Sequence, residues 1–253
     1  MKVTIFQRDI IWADPQANAL AADKFLEENA AGSDLIVLPE MFSTGFCTDP
    51  RNIAESDGFS LVWMLEKAHT YDCAIAGSVA TEEDGKYYNR LYFVYPDGRV
   101  ELYDKHHLFT FAGEDKNYTA GQERKIVEYK GFRFLLEICY DLRFPVWARN
   151  CSEYDAIIYV ASWPTPRVQA WNTLLRARAI ENQCYVIGVN RVGEDPSCSY
   201  CGGSAIIDAY GNAVAECDWN KESWASAELN MEELEQFRAK FPVLNDSDRF
   251  KIE

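Results

Sequence analysis

The sequence predicts an α/β fold, a four-layer α-β-β-α sandwich of two mixed sheets, on three observations. Short apolar runs alternate with helical patterns along the whole chain, and runs of that length and composition suit strands buried on both faces. An aromatic-rich hairpin interrupts them, so antiparallel strands join the parallel ones. A helix followed by "DLIVLPE" (34 to 40) is echoed by a helix followed by "DAIIYVASW" (155 to 163); two such halves, each a sheet covered by helices, would pack sheet against sheet.

In order, strands are expected at "VTIF" (3 to 6), "LIVL" (35 to 38), "CAIAGSV" (73 to 79), "FLLEIC" (134 to 139), "AIIYVA" (156 to 161) and "YVIGV" (185 to 189). Between the first two lies a helix: Asp14 caps it, Pro15 suits its first position, Ala17, Ala21 and Phe25 share a face, and Gly32 closes it. The stretch 86 to 105 reads as strand, Pro-Asp-Gly turn, strand. A second helix runs from Val168 to about Asn182, burying Val168, Trp171, Leu175 and Ala179 and carrying Arg176, Arg178 and Glu181 on its other faces. From about Glu232 a short acidic helix leads into "FPVLNDSDRFKIE". No linker or low-complexity block divides residues 1 to 253, which predicts a single domain whose tail, from about 240, docks on a partner subunit.

Composition narrows the partners. With 25 Lys and Arg against 40 Asp and Glu, the formal net charge is −15, a surface that repels phosphate backbones and anionic lipid. Neither nucleic acid nor a membrane is expected as a partner, and the absence of a signal-like start or a spanning apolar run predicts a cytoplasmic protein. Eight cysteines follow no repeating frame, and a chain of this size needs no staples. The one close pair, Cys198 and Cys201, lacks the further ligands of a metal site and reads as two thiols in a Gly-rich loop.

Chemistry concentrates near the strand ends. Cys139 closes an apolar strand, where ligand sites of α/β sheets lie, and Pro145 fits the first turn of a helix whose start would favour a thiolate. A buried cysteine is more often packing than nucleophile, so its partners decide. The adjacent His106 and His107 point in different directions, so at most one could face it, and His69 is the only other histidine. Glu40, after "LIVLP", is held by Pro39 among neighbours that disfavour ionisation, and could take and return a thiol proton; the bland alternative is a carboxylate paired with a cation. Lys105, at the rim of something buried, could stabilise oxygen charge together with the backbone N–H of Tyr140. Phe42 and Trp163 could wall a pocket.

"LPEMFSTGF" (38 to 46), "YDKHHLF" (103 to 109) and "CYDLRFP" (139 to 145), with Glu40, Lys105 and Cys139 spaced 65 and 34 positions apart, resemble the nitrilase superfamily of carbon-nitrogen hydrolases. The stretch 162 to 193 continues the likeness, which therefore spans essentially the whole chain. The resemblance implies Glu40 as general base, Lys105 as oxyanion stabiliser, Cys139 as nucleophile, and a second glutamate after the lysine, assigned to Glu114 over Asp115 and Glu123. Glu137 reads as one half of an ion pair beneath the site. The joined "CYDLRFP" and "SWP" segments look most like the omega-amidase branch, which acts on omega-amides of 2-oxo-dicarboxylic acids such as 2-oxoglutaramate. Such a substrate calls for a cation, Arg167 by preference, with Arg143 a rival expected instead to pair with Asp141 or a neighbouring glutamate. Tyr140, Trp163 and Phe42 complete the expected substrate contacts. The resemblance further implies no cofactor or metal and a homodimer or higher homo-oligomer. Acyl transfer, a silent binding protein, and thiol redox chemistry at Cys198 and Cys201 stand as alternatives.

Overall fold

The computed structural model describes residues 1–248 and 250–252. Its first half runs β1 (Lys2–Gln7), α1 (Pro15–Asn29), β2 (Leu35–Val37), α2 (Phe59–Tyr71), β3 (Ala74–Glu83), β4 (Lys86–Val94) and β5 (Val100–Asp104). The second runs β6 (Lys125–Tyr129), β7 (Phe132–Ile138), β8 (Ala156–Val160), α3 (Val168–Asn182), β9 (Tyr185–Val189), β10 (Val192–Glu194), β11 (Ser199–Cys201), β12 (Ala205–Ile207), β13 (Ala213–Glu216), β14 (Ser223–Glu228) and α4 (Met231–Lys240). One sheet has the order β14-β1-β2-β3-β4-β5 and the other β13-β12-β9-β8-β7-β6. Both are mixed, with three adjacent parallel strands at the heart of each, β1-β2-β3 and β7-β8-β9.

The alternation of each strand decides the layers. Val3 and Ile5 face the second sheet, meeting a common core with Leu136, Ile138, Ile158 and Ile187, while Phe6, Ile36 and Ile75 turn outward onto α1 and α2. On the far side, Leu135, Ile157 and Val186 receive Trp171, Leu175 and Ala179 of α3. Burying a side chain such as Leu175 completely stabilises the fold by about 2 kcal/mol, so this helix is held by packing more than by propensity. The result is the expected α-β-β-α order of layers.

The echo between the halves is a repeated wiring. The Asp34 N–H donates to the Lys2 carbonyl while its carboxylate accepts from the Lys2 N–H at 2.7 Å; Asp155 does the same with Arg133, its carboxylate accepting at 3.1 Å. Each aspartate thus pins the start of the first parallel strand to the start of the second, and each carbonyl accepts from the head of the third, Ala74 or Tyr185.

Local readings need correction in several places. Helix α1 is capped by Asp14 but ends at Asn29, short of Gly32, and buries Asn18, Ala19, Ala22, Phe25 and Leu26; Ala17 and Ala21 sit at the margin because Asn18 turns inward to bond Ile11 and Ser43. Arg178 of α3 is buried, donating at 2.6 Å to the Leu142 carbonyl. No helix begins at Pro145; the turn is a 3-10 helix over Cys139–Arg143 that ends before it. Helix α4 packs on its own chain, with Leu234 in the core and Arg238 bonded to Asp155 at 2.7 Å.

Candidate active site

Glu40, Lys105 and Cys139 come together where the strand ends of both sheets meet. Glu40 follows β2, and the chain then turns sharply, Met41 taking φ +45 with its N–H held by Ser78 Oγ at 2.9 Å. Cys139 follows β7 with φ +46. For a residue with a Cβ that left-handed backbone costs of order 1–3 kcal/mol, and here it swings the sulfur out of the strand alternation toward the cavity. The preceding glutamate, Glu137, stays on the helix side of β7 beside Tyr159 and Arg178.

Lys105 is closed to solvent, and its ammonium is fixed by carboxylates: 3.0 Å to Glu40 Oε1, and 3.1 and 2.9 Å to the two oxygens of Glu114. Burial opposes its charge, but Glu114 and Glu40 more than offset that and hold its pKa above the ordinary lysine value. Glu114 comes from a short turn after Gly113, where the Phe109 N–H donates to Oε2 at 2.6 Å. Burial, then the charge of Glu40, push Glu114 above the usual carboxylate range against the pull of Lys105. Asp115 and Glu123 are exposed.

Cys139 faces the same cavity as Glu40 and Lys105. Burial and the nearby Glu40 charge drive the thiol pKa well above its ordinary value, with Lys105 counteracting only in part. Two carboxylates against one ammonium leave the cluster unfavourable to a further anion, so the resting sulfur keeps its proton.

Two residues of this cluster gave little warning in the sequence. Asn89 of β4 donates to Glu40 at 2.8 Å and Glu114 at 3.3 Å; an asparagine in the middle of an aromatic strand was the available sign, since strands are depleted of it. The Ser162 N–H donates to Glu40 Oε2 at 2.7 Å, a main-chain contact that no side-chain pattern reveals.

The cluster closes the inner end of a cavity of about 460 Å³, walled by Phe46, Phe109, Tyr140, Trp163, Pro164 and Tyr200. Tyr140 and Trp163 lie where expected. Phe42 does not: it is 1% exposed, its ring packed against Trp63 in the core under α2 and pressed on Gly77, and Phe46 takes the place at the wall. Arg143 and Arg167 both line the cavity. Arg143 is not tied to Asp141; its guanidinium lies 4.8 Å over the Trp163 ring, and that of Arg167 lies 5.4 Å over Phe109. Neither has a carboxylate partner among the described residues. His106 and His107 both miss the cavity, stacking on Trp147 and Phe144 at 3.7 Å.

Glu137 is also not an ion pair: both oxygens are buried without a hydrogen-bond partner, and burial and Asp141 push its pKa well above the usual range. Cys198 lines the cavity and Cys201 is buried at the end of β11, all eight cysteines being free. Among the described residues no group of three or more His, Cys, Asp or Glu side chains could hold a metal ion, and no helix is long and apolar enough to cross a membrane.

A strand-end cysteine, buried lysine and two glutamates on a sandwich of this order define a class of hydrolase, and sequence comparison agrees. The profile of the carbon-nitrogen hydrolase family matches residues 2–239, and the chain belongs to that family. It is 45% identical over 253 residues to the omega-amidase YafV of Yersinia enterocolitica, covering 100% of this chain and 98% of that one. It is 36% identical over 254 residues to the 2-oxoglutaramate amidase of Bacillus subtilis (strain 168), covering 97% and 98%. Among solved structures, the CN-hydrolase superfamily protein XC1258 from Xanthomonas campestris, which carries an arsenic adduct in its active site, superposes with a TM-score of 0.97 at 40% identity over 100% and 99% of the two chains. Nit3 of Saccharomyces cerevisiae, a member of branch 10 of the nitrilase superfamily, gives 0.85 at 27% identity over 96% and 94%.

Proposed function

We propose that this hydrolase is an omega-amidase: it cleaves the terminal amide of a small carboxylate-bearing substrate, a 2-oxo-dicarboxylate omega-amide such as 2-oxoglutaramate, through a thioester on Cys139. The observation that carries the reading is the convergence of Cys139, Glu40 and Lys105 on one cavity, with Glu40 3.0 Å from the buried Lys105 ammonium.

Cys139 attacks the amide carbonyl as its proton passes to Glu40, which suits a thiol too costly to ionise beforehand. The carbonyl electrons move onto oxygen, where Lys105 Nζ and the Tyr140 N–H hold the charge. Collapse expels the amine, which takes the proton from Glu40 and leaves as ammonia. Water then attacks the thioester, gives its proton to Glu40, and the departing sulfur recovers it as the acid is released. Glu114 and Asn89 hold Lys105 and Glu40 aligned, while Arg143 and Arg167 offer the substrate carboxylate a charge partner inside an acidic protein. No metal or organic cofactor enters any of these steps.

We also place the activity in the cytoplasm, which eight free cysteines support, and in a homodimer. Supporting the dimer, Val146, Ile180, Phe241 and Phe250 are large exposed apolar side chains, and Val146 and Phe250 line one surface depression. Light scattering of the whole chain and of a version ending at Lys240 tests this; equal masses for both, each a monomer, contradict it. The activity itself is tested by ammonia release from 2-oxoglutaramate, glutamine and a simple nitrile, with 2-oxoglutaramate expected to be preferred.

A further inference from the structure

One buried carboxylate outside the reacting cluster touches both arms that deliver it. Asp141 is closed to solvent. Its Oδ2 accepts from the Ile138 N–H at 3.0 Å and the Tyr103 hydroxyl at 2.9 Å; its Oδ1 accepts from the His107 N–H at 2.9 Å and lies 2.8 Å from His107 Nδ1. Tyr103 and His107 flank Lys105 two residues to either side, and Ile138 immediately precedes Cys139. Tyr103 is itself aimed by the Trp147 indole N–H and the His106 N–H, each donating to its oxygen at 3.2 Å. We propose that Asp141 is a positioning residue for the hydrolysis, fixing the Lys105 segment and the Cys139 turn to one anchor so that the ammonium, the Tyr140 N–H and the sulfur keep their mutual placement.

Two features make this more than local packing. The bond from the Ile138 N–H to Asp141 closes a ring around Cys139, whose φ of +46 an L residue rarely adopts; without that closure the backbone is free to relax toward an ordinary conformation and draw the sulfur back. On the other arm, the strand β5 ends at Asp104; Lys105 keeps one backbone bond to Asn89 of β4 and accepts one from Gly121, and the Asp141 contacts hold Tyr103 and His107 on either side of it. Misplacement of reacting groups by about 1 Å is enough to cost about 100-fold in rate.

The proposal rests on Cys139 and Lys105 acting as nucleophile and oxyanion donor, so the experiment separates the two. Asp141→Asn and Tyr103→Phe are compared with wild type using kcat per Cys139 thiol, titrated by iodoacetamide and counted at the Cys139 peptide so that the other free cysteines do not contribute; Cys139→Ala is compared using kcat per mole of folded protein. Asp141→Asn is expected to lose about 100-fold in kcat per titrated thiol with KM within about 3-fold, and Tyr103→Phe about 10-fold, since it removes one charge-assisted bond of the four. The Tyr103→Phe loss should vanish in the Asp141→Asn background. Should Asp141→Asn not fold, Tyr103→Phe alone decides, because it adds no polar group to the interior. A folded Asp141→Asn, or a Tyr103→Phe, that keeps wild-type kcat per thiol overturns the positioning role while leaving the nucleophile intact. A fully active Cys139→Ala overturns the reading of the site beneath it.

Discussion

Glu114 grips Lys105 with both carboxylate oxygens, at 3.1 and 2.9 Å, in a place closed to water. A buried pair of this kind adds little net stability, but breaking it leaves a charge stranded. Glu114→Ala is therefore expected to cost about 3 kcal/mol of unfolding free energy, read by chemical denaturation. Glu114→Gln keeps the shape and is expected to lower kcat by about 100-fold, since Lys105 then leans toward Glu40 and away from the oxyanion position. Unchanged kcat in Glu114→Gln would remove Glu114 from the machinery.

The raised thiol of Cys139 has a signature in its alkylation. A free cysteine ionises near 8.5, and rates follow the thiolate fraction. With burial and Glu40 holding the thiol protonated, the iodoacetamide rate at the Cys139 peptide, followed by mass spectrometry, should keep climbing through pH 9 without levelling. A plateau below pH 8 would mean a preformed thiolate and a different first step.

Arg143 and Arg167 face the cavity with no acid partner among the described residues. Replacing each by methionine keeps much of the stacking on Trp163 or Phe109. Losing a charge-assisted contact to the substrate carboxylate is expected to lower kcat/KM by about 10- to 100-fold in at least one of the two variants, and far less for an uncharged amide of similar length. Equal losses on both substrates would argue against carboxylate recognition.

Glu137 sets a pH dependence of stability. The folded chain keeps a proton on this buried carboxyl where the unfolded chain has released it at about 4.3. The native state then binds more protons, so stability falls as pH rises from that value toward the raised native one. Glu137→Gln removes the penalty and should gain on wild type between pH 5 and pH 8. A difference that stays flat across that range would contradict a protonated Glu137.

The legible part of this protein was what repeats or alternates. The six apolar runs sit in strands because hydrophobic burial on two faces leaves no other solution, and α3 spans Val168–Asn182 as its periodicity demands. Glu40, Lys105 and Cys139 stood out by residue type against apolar context. Phe42 misled because, on turning out of β2, position 42 points back under α2 while position 46 reaches the cavity; composition gives no sign of that reversal. Arg143 misled because Asp141 looked like its partner two residues away, yet Asp141 spends its oxygens on Ile138, Tyr103 and His107. Asn89 and the Ser162 N–H were hidden because long-range contacts decide their roles, and those depend on register between the two halves.

The most direct test of the account is ammonia release from 2-oxoglutaramate by wild type and by Cys139→Ser, with both confirmed folded by circular dichroism. Wild type should release ammonia stoichiometrically with acid, and Cys139→Ser should fall by at least about 1,000-fold. Release by the serine variant at a rate near wild type would contradict the thioester mechanism and the assignment of Cys139 as nucleophile.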